Sequence, residues 1–175
     1  MYSLDRLLQG TRKAQATVDR PLEHLVACHD RIEERLKTLE RAAAALDTRP
    51  GEARDALMSV FQYFETSGIL HTEDEERSVF PRMQASLTGE EREYMAELEQ
   101  QHREAEALYA RLKQAPSAGM DAAAYRDVVE RFCILYRAHI NSENTRLMEI
   151  AGRVLENGDL VEISREMRAR RGWLQ

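Results

Sequence analysis

Four of the five histidines in this chain are followed, four residues later, by a glutamate: His29/Glu33, His71/Glu75, His102/Glu106 and His139/Glu143. On an α-helix, positions i and i+4 stack on the same face, so each pair is a two-toothed clamp that other helices can complete. The pairs fall one to each long stretch of helical apolar periodicity. A chain that used them together would gather four helices around one centre.

Those stretches are long and rarely broken, with only four prolines and eight glycines in 175 residues. Residues 1 to 20 are polar and weakly patterned and read as an arm or short helix. Pro21 is placed to open the first long helix, whose apolar stripe is Leu22, Leu25, Ile32, Leu36 and Leu39. The Arg49-Pro50-Gly51 turn closes it. A second helix begins near Glu52 and runs through Leu57, Val60, Phe61 and Phe64 to Val79 and Phe80. Thr66-Ser67-Gly68 is a point where it is expected to bend or break, and Pro81 is expected to end or restart it. Thr88 with Glu91 reads as the capping box of a third helix through Tyr94, Leu98, Ala105 and Leu112, which stops around Ala115–Gly119. Asp121 is placed to cap a fourth, carrying Val128, Phe132, Leu135 and Leu147 and ending at Asn157-Gly158. A short fifth helix, roughly 159 to 169, precedes a basic tail with Arg165, Arg168, Arg170 and Arg171. No strand-like alternation competes. The pattern predicts an all-α, up-down-up-down four-helix bundle over residues 21–156, with a short C-terminal helix and basic tail over 157–175.

A net charge of −6, from 25 basic and 31 acidic residues, argues mildly against nucleic acid or an anionic membrane as the main partner. Cys28 and Cys133 are far apart and form no CxxC pattern, which suits free thiols in a reducing compartment. No signal peptide is visible, and no window approaches the roughly 18 apolar residues that cross a bilayer. The expected location is cytoplasmic, and the expected state is monomer or homodimer.

Imidazoles and carboxylates together favour a first-row transition metal over calcium or magnesium. A closed tetrahedral zinc site would use four ligands and leave the rest idle. A larger nitrogen and oxygen set more naturally holds two metals with carboxylates between them.

The segment Ser67-Gly68-Ile69-Leu70-His71-Thr72-Glu73-Asp74-Glu75-Glu76-Arg77-Ser78-Val79-Phe80-Pro81 resembles the second-helix motif of hemerythrin-like proteins, also called HHE cation-binding domains. His139-Ile140-Asn141-Ser142-Glu143 resembles their fourth-helix motif, and His29 and His102 match the single histidines preceding each. The resemblance covers about residues 20 to 156. It implies a non-haem centre of two iron ions with an oxo or hydroxo bridge, ligated by His29, His71, His102 and His139 and bridged by Glu75 and Glu143. The chain departs from the oxygen carriers at two positions. They place a second histidine where Glu106 stands, and an aspartate where Asn144 stands. Glu33 and Glu106 are left open, as further metal ligands or as carboxylates beside the ligands or in solvent.

Reversible oxygen carriage therefore gives way to binding, sensing or reacting with a small ligand such as oxygen, nitric oxide or peroxide. A sensor would need a separate protein partner. Two alternatives are iron storage or delivery to damaged iron–sulphur centres, and a metal-stabilised interaction bundle without a redox role. His24 lies about 140° around the helix from His29 and is expected to face solvent. Tyr63, Tyr109, Tyr125 and Tyr136 are expected in the core with satisfied hydroxyls, and Cys28 and Cys133 as buried small groups. Trp173, beside Arg170 and Arg171, is expected to dock the tail on the bundle or on a partner.

Overall fold

The computed structural model describes residues 18–114 and 121–173, and among them there is helix and no strand. The reading of residues 1 to 17 as an arm, and of the stop at Ala115–Gly119, lies outside or largely outside the described residues. Helix α1 is Pro21–Ala45, with Pro21 in its first turn as expected. Helix α2 spans residues 50–86, α3 is Gly89–Gln114, α4 spans residues 122–154 and α5 is Asn157–Arg170. Links of a few residues force sequential neighbours antiparallel. The pairings agree: Tyr109 donates to the Phe61 carbonyl while His102 meets Glu76, and Tyr94 meets Ser142 while His139 meets Gln101.

Helix α2 is one rod built from several kinds of turn. An α segment Pro50–Tyr63 passes into a π turn at Phe64–Gly68, then Ile69–Asp74, a second π turn at Glu75–Val79, Phe80–Met83 and a closing 3-10 turn at Gln84–Ser86. The Thr66-Ser67-Gly68 step thus widens the helix instead of breaking it. Pro81 does not end it either. It falls in the first turn after the second π turn, which widens the helix ahead of the proline ring.

Other ends are set by side chains. Thr88 and Glu91 cap each other's amides at 2.8 and 3.3 Å, completing the expected box. Asp121 accepts from the amides of Ala123 and Ala124 at 2.8 and 2.9 Å. Asp121→Ala is expected to cost about 1 kcal/mol, read as a lower urea midpoint at unchanged slope. Asn157-Gly158 does not end α4. That helix stops at Val154, and Glu156 with Asp159 forms a reciprocal cap that opens α5 two residues earlier than expected.

The described residues form two apolar clusters. One contains Ile32, Leu36, Leu57, Val60, Phe64, Leu112, Val128 and Phe132. The other contains Leu25, Val79, Phe80, Met83, Leu98, Leu147, Ile150, Ile163 and Met167. In every long helix the clamp histidine falls, in sequence, between residues of the two clusters. A polar layer is thereby clamped between two dry ones.

Helix α5 closes the second end. Ile163 and Met167 are fully buried there. Beyond them Arg170 and Arg171 both reach the buried carboxylate of Asp74, each at 2.6 Å. Glu166 accepts from Arg82 at 2.7 Å and from Ser78 at 2.5 Å. Trp173 packs against the same cluster, with the Arg171 guanidinium over its ring, so the tail docks on the bundle. His24 corrects a sequence expectation: it is 1 % exposed. The wheel argument fixed only the angle from His29 and did not place α5, which packs on α1 and brings Arg171 near His24. Burial, then the charge of Arg171, drives the His24 pKa down to about 3.

Candidate metal centre

Six side chains from all four long helices converge between the apolar clusters. His29, His71, Glu75 and Glu143 form one group, and Glu75, His102, His139 and Glu143 form another. In each group one ligand atom per residue lies within 4.8 Å of all the others. The two groups share both glutamates. Glu75 is fully buried, with one oxygen 3.4 Å from His71 Nε2 and 3.8 Å from His29 Nε2, and the other 3.5 Å from His102 Nε2. Glu143, also fully buried, lies 3.2 Å from both His29 Nε2 and His139 Nε2 through one oxygen.

Local helix geometry singles out these two glutamates. Glu75 begins the π turn Glu75–Val79, and Glu143 begins the π turn Glu143–Leu147. A π turn takes in an extra residue and resets which side chains follow on the inner face. Glu33 and Glu106 sit in uninterrupted α-helix and stand outside both groups. Glu33 is claimed by Arg137 of α4, whose guanidinium lies 3.0 Å away and also holds Glu40 at 2.6 Å. Glu106 is exposed and lines a cavity beside the centre. Equal spacing in sequence thus yields two carboxylates inside and two outside.

Three histidines are aimed by a second contact that sequence reasoning missed. His29 Nδ1 donates to Asn144 Oδ1 at 2.7 Å, His102 Nδ1 to Glu76 at 2.8 Å, and His139 Nδ1 to Gln101 Oε1 at 2.9 Å. These acceptors carry no proton, so each Nδ1 bears a hydrogen, and Nε2, which faces the centre, is the nitrogen that can give up its proton to a metal. Position offered a signal: Glu76, Gln101 and Asn144 each adjoin a cluster residue in sequence. Asn144→Ala is expected to weaken metal affinity about tenfold with the fold intact, checked by competition against a chelator.

The electrostatics call for positive charge. All four oxygens of Glu75 and Glu143 are buried without a hydrogen bond, as is His29 Nε2. His102 Nε2 and His139 Nε2 lie 3.0 Å apart. Two lone pairs at that distance repel unless a cation or a shared proton lies between them. Burial alone would depress His29, yet the attraction of the Glu143 and Glu75 carboxylates beside it outweighs that and carries its pKa up to about 10. His102 rises to about 9 against burial, chiefly through Glu75. Burial dominates at His71 and takes it down to about 4. Buried carboxylates without partners are costly, and a metal ion coordinated by them is a standard remedy. The donor set therefore fits metal.

The other sequence candidates play structural parts. Both cysteines are buried, and burial pushes the Cys133 thiol up to about 12. Tyr109 has its hydroxyl satisfied by the Phe61 carbonyl, whereas the Tyr125 hydroxyl is buried without a hydrogen-bond partner. No helix among the described residues is long and apolar enough to cross a membrane.

Comparison with known proteins agrees with the geometry. The family model described as Hemerythrin HHE cation binding domain matches residues 20–151. A Haemophilus influenzae (strain Rd) protein, described only as uncharacterized, is 29% identical over 163 residues, covering 89% of this chain and 92% of its own.

Proposed function

This chain belongs to the hemerythrin HHE cation-binding family, and we propose that it holds two iron ions and binds, senses or reacts with a small oxidant such as oxygen, peroxide or nitric oxide. One observation carries the reading: two ligand groups share the same pair of buried glutamates. His29 and His71 belong to one ion, His102 and His139 to the other, and Glu75 and Glu143 to both. Glu33 and Glu106 take no part. The metal-holding unit is residues 21–156, with 157–175 as an appended helix and basic tail.

Bound there, iron supplies a redox-active Lewis-acid centre. The chain does the rest. Asn144, Glu76 and Gln101 keep three imidazoles in the ligating tautomer. The apolar clusters on either side exclude water and strengthen every charge interaction within. Six protein ligands shared between two ions leave capacity for an exogenous small ligand. The setting is cytoplasmic, with no nucleic acid or membrane as partner.

Metal analysis with absorption spectroscopy of the as-isolated protein tests this. Two irons per chain are expected, with near-ultraviolet absorption that changes on adding oxygen, peroxide or nitric oxide. Protein with no affinity for iron would sink the proposal. Iron transfer to an apo iron–sulphur protein, without any response to oxidants, would replace it with an iron-delivery role.

A further inference from the structure

A cavity of about 530 Å³ opens between α2, α3 and α4, and its inner wall reaches the metal centre at His102, the one clamp histidine that lines it. Tyr136, whose ring lies 6.3 Å from that of His139, lines it too. The volume is in the range of organic-ligand pockets and far above the roughly 30 Å³ that a water-sized molecule fills.

The lining is specific in kind. Phe64, Tyr109, Phe132 and Tyr136 form one packed aromatic wall, with Phe64 5.4 Å from Phe132, 5.5 Å from Tyr136 and 5.7 Å from Tyr109 between ring centroids. Around it stand four carboxylates, Glu65, Glu73, Glu76 and Glu106, against one guanidinium, Arg103. Arg103 is engaged with Gln100 at 2.9 Å. Glu65 pairs with Lys113, Glu73 with Arg77 and Glu76 with His102. Glu106 has no ion pair among the described residues. Aromatic faces attract ammonium groups, and Glu106, the lining carboxylate left without an ion pair, offers such a group a counter-charge.

We propose that this chamber binds a small organic ammonium compound with an apolar body, seated against the His102 end of the centre. The link to chemistry rests on the iron reading above, while binding itself does not. The Glu106 position, where the oxygen carriers have a second histidine, thereby becomes part of a ligand chamber.

Calorimetric titration of the full metal-loaded chain with benzylamine, benzyl alcohol and benzoate tests the proposal. Benzylamine is expected to bind, with benzoate at least about tenfold weaker, from one lost charge attraction of about 1.4 kcal/mol. Thr72→Trp, which fills the chamber, and Ile69→Trp, which narrows its exposed mouth, are each expected to weaken benzylamine binding while metal content is unchanged. Thr72→Ser should retain it, and Glu106→Gln should narrow the benzylamine-to-benzoate ratio. Benzoate binding as tightly as benzylamine would overturn the proposal. So would binding unaffected by either tryptophan, or no probe bound at millimolar concentration. A chain that takes up no iron yet binds benzylamine in a Thr72-dependent way would remove the iron reading and leave the chamber standing.

Discussion

Glu75→Ala is expected to empty both metal positions at once. One oxygen of Glu75 faces His29 and His71 and the other faces His102, so a single truncation takes a ligand from each group. Losing a charged ligand should exceed the roughly 10- to 100-fold loss that follows removal of a supporting contact, so affinity at each position should fall by at least about 100-fold. His71→Ala provides the contrast. His71 belongs to one group only, so that variant should keep about one metal per chain at limiting supply. Elemental analysis of the parent and both variants, with circular dichroism to confirm helix, reads the difference. Equal metal loss in the two variants would show that the groups act as one site, and full loading of Glu75→Ala would remove the shared-glutamate arrangement.

The second large effect lies outside the centre. Asp74→Ala is expected to destabilise the protein by about 3 kcal/mol or more. Its carboxylate is fully buried and accepts from both Arg170 and Arg171, whose side chains are 15 % and 8 % exposed. Removing one member of a buried ion cluster strands the others, which typically costs about 3–5 kcal/mol. The arginines sit at the end of α5 and can swing part-way to water, which holds the figure to the low end. A loss of that size lowers the melting temperature by about 6–12 °C in a chain of this length. Urea unfolding of metal-free protein measures it without a contribution from bound metal. A change below about 1 kcal/mol would mean that α5 is held without the Asp74 cluster, by Ile163, Met167 and the Glu166 contacts.

Among the described residues, helix order and the inward faces of four helices were legible because periodicity and breakers are local properties. So were the caps at Thr88 and Asp121, which need nothing beyond three neighbouring residues. His24 was misread because solvent exposure depends on the element packed against a face, and α5 is distant in sequence. At Pro81 the expected loss of a regular ladder is met by the π turn Glu75–Val79 just before it, and the helix resumes at once where an end or a restart was expected.

The i to i+4 spacing put every glutamate within about 40° of its histidine on the helix surface, near enough to ligate but not committed to doing so. From residue order alone follow a four-helix bundle, one glutamate-paired histidine per helix, and a chemistry of imidazole and carboxylate. Which carboxylates enter the centre was a contest between helices. Arg137, on α4, takes Glu33 to the surface of α1. π turns begin at Glu75 and Glu143. The cavity between α2 and α3 leaves Glu106 at its lining. Those outcomes turn on groups far apart in the chain and on a few tens of degrees of helix rotation, which only the packed structure settles.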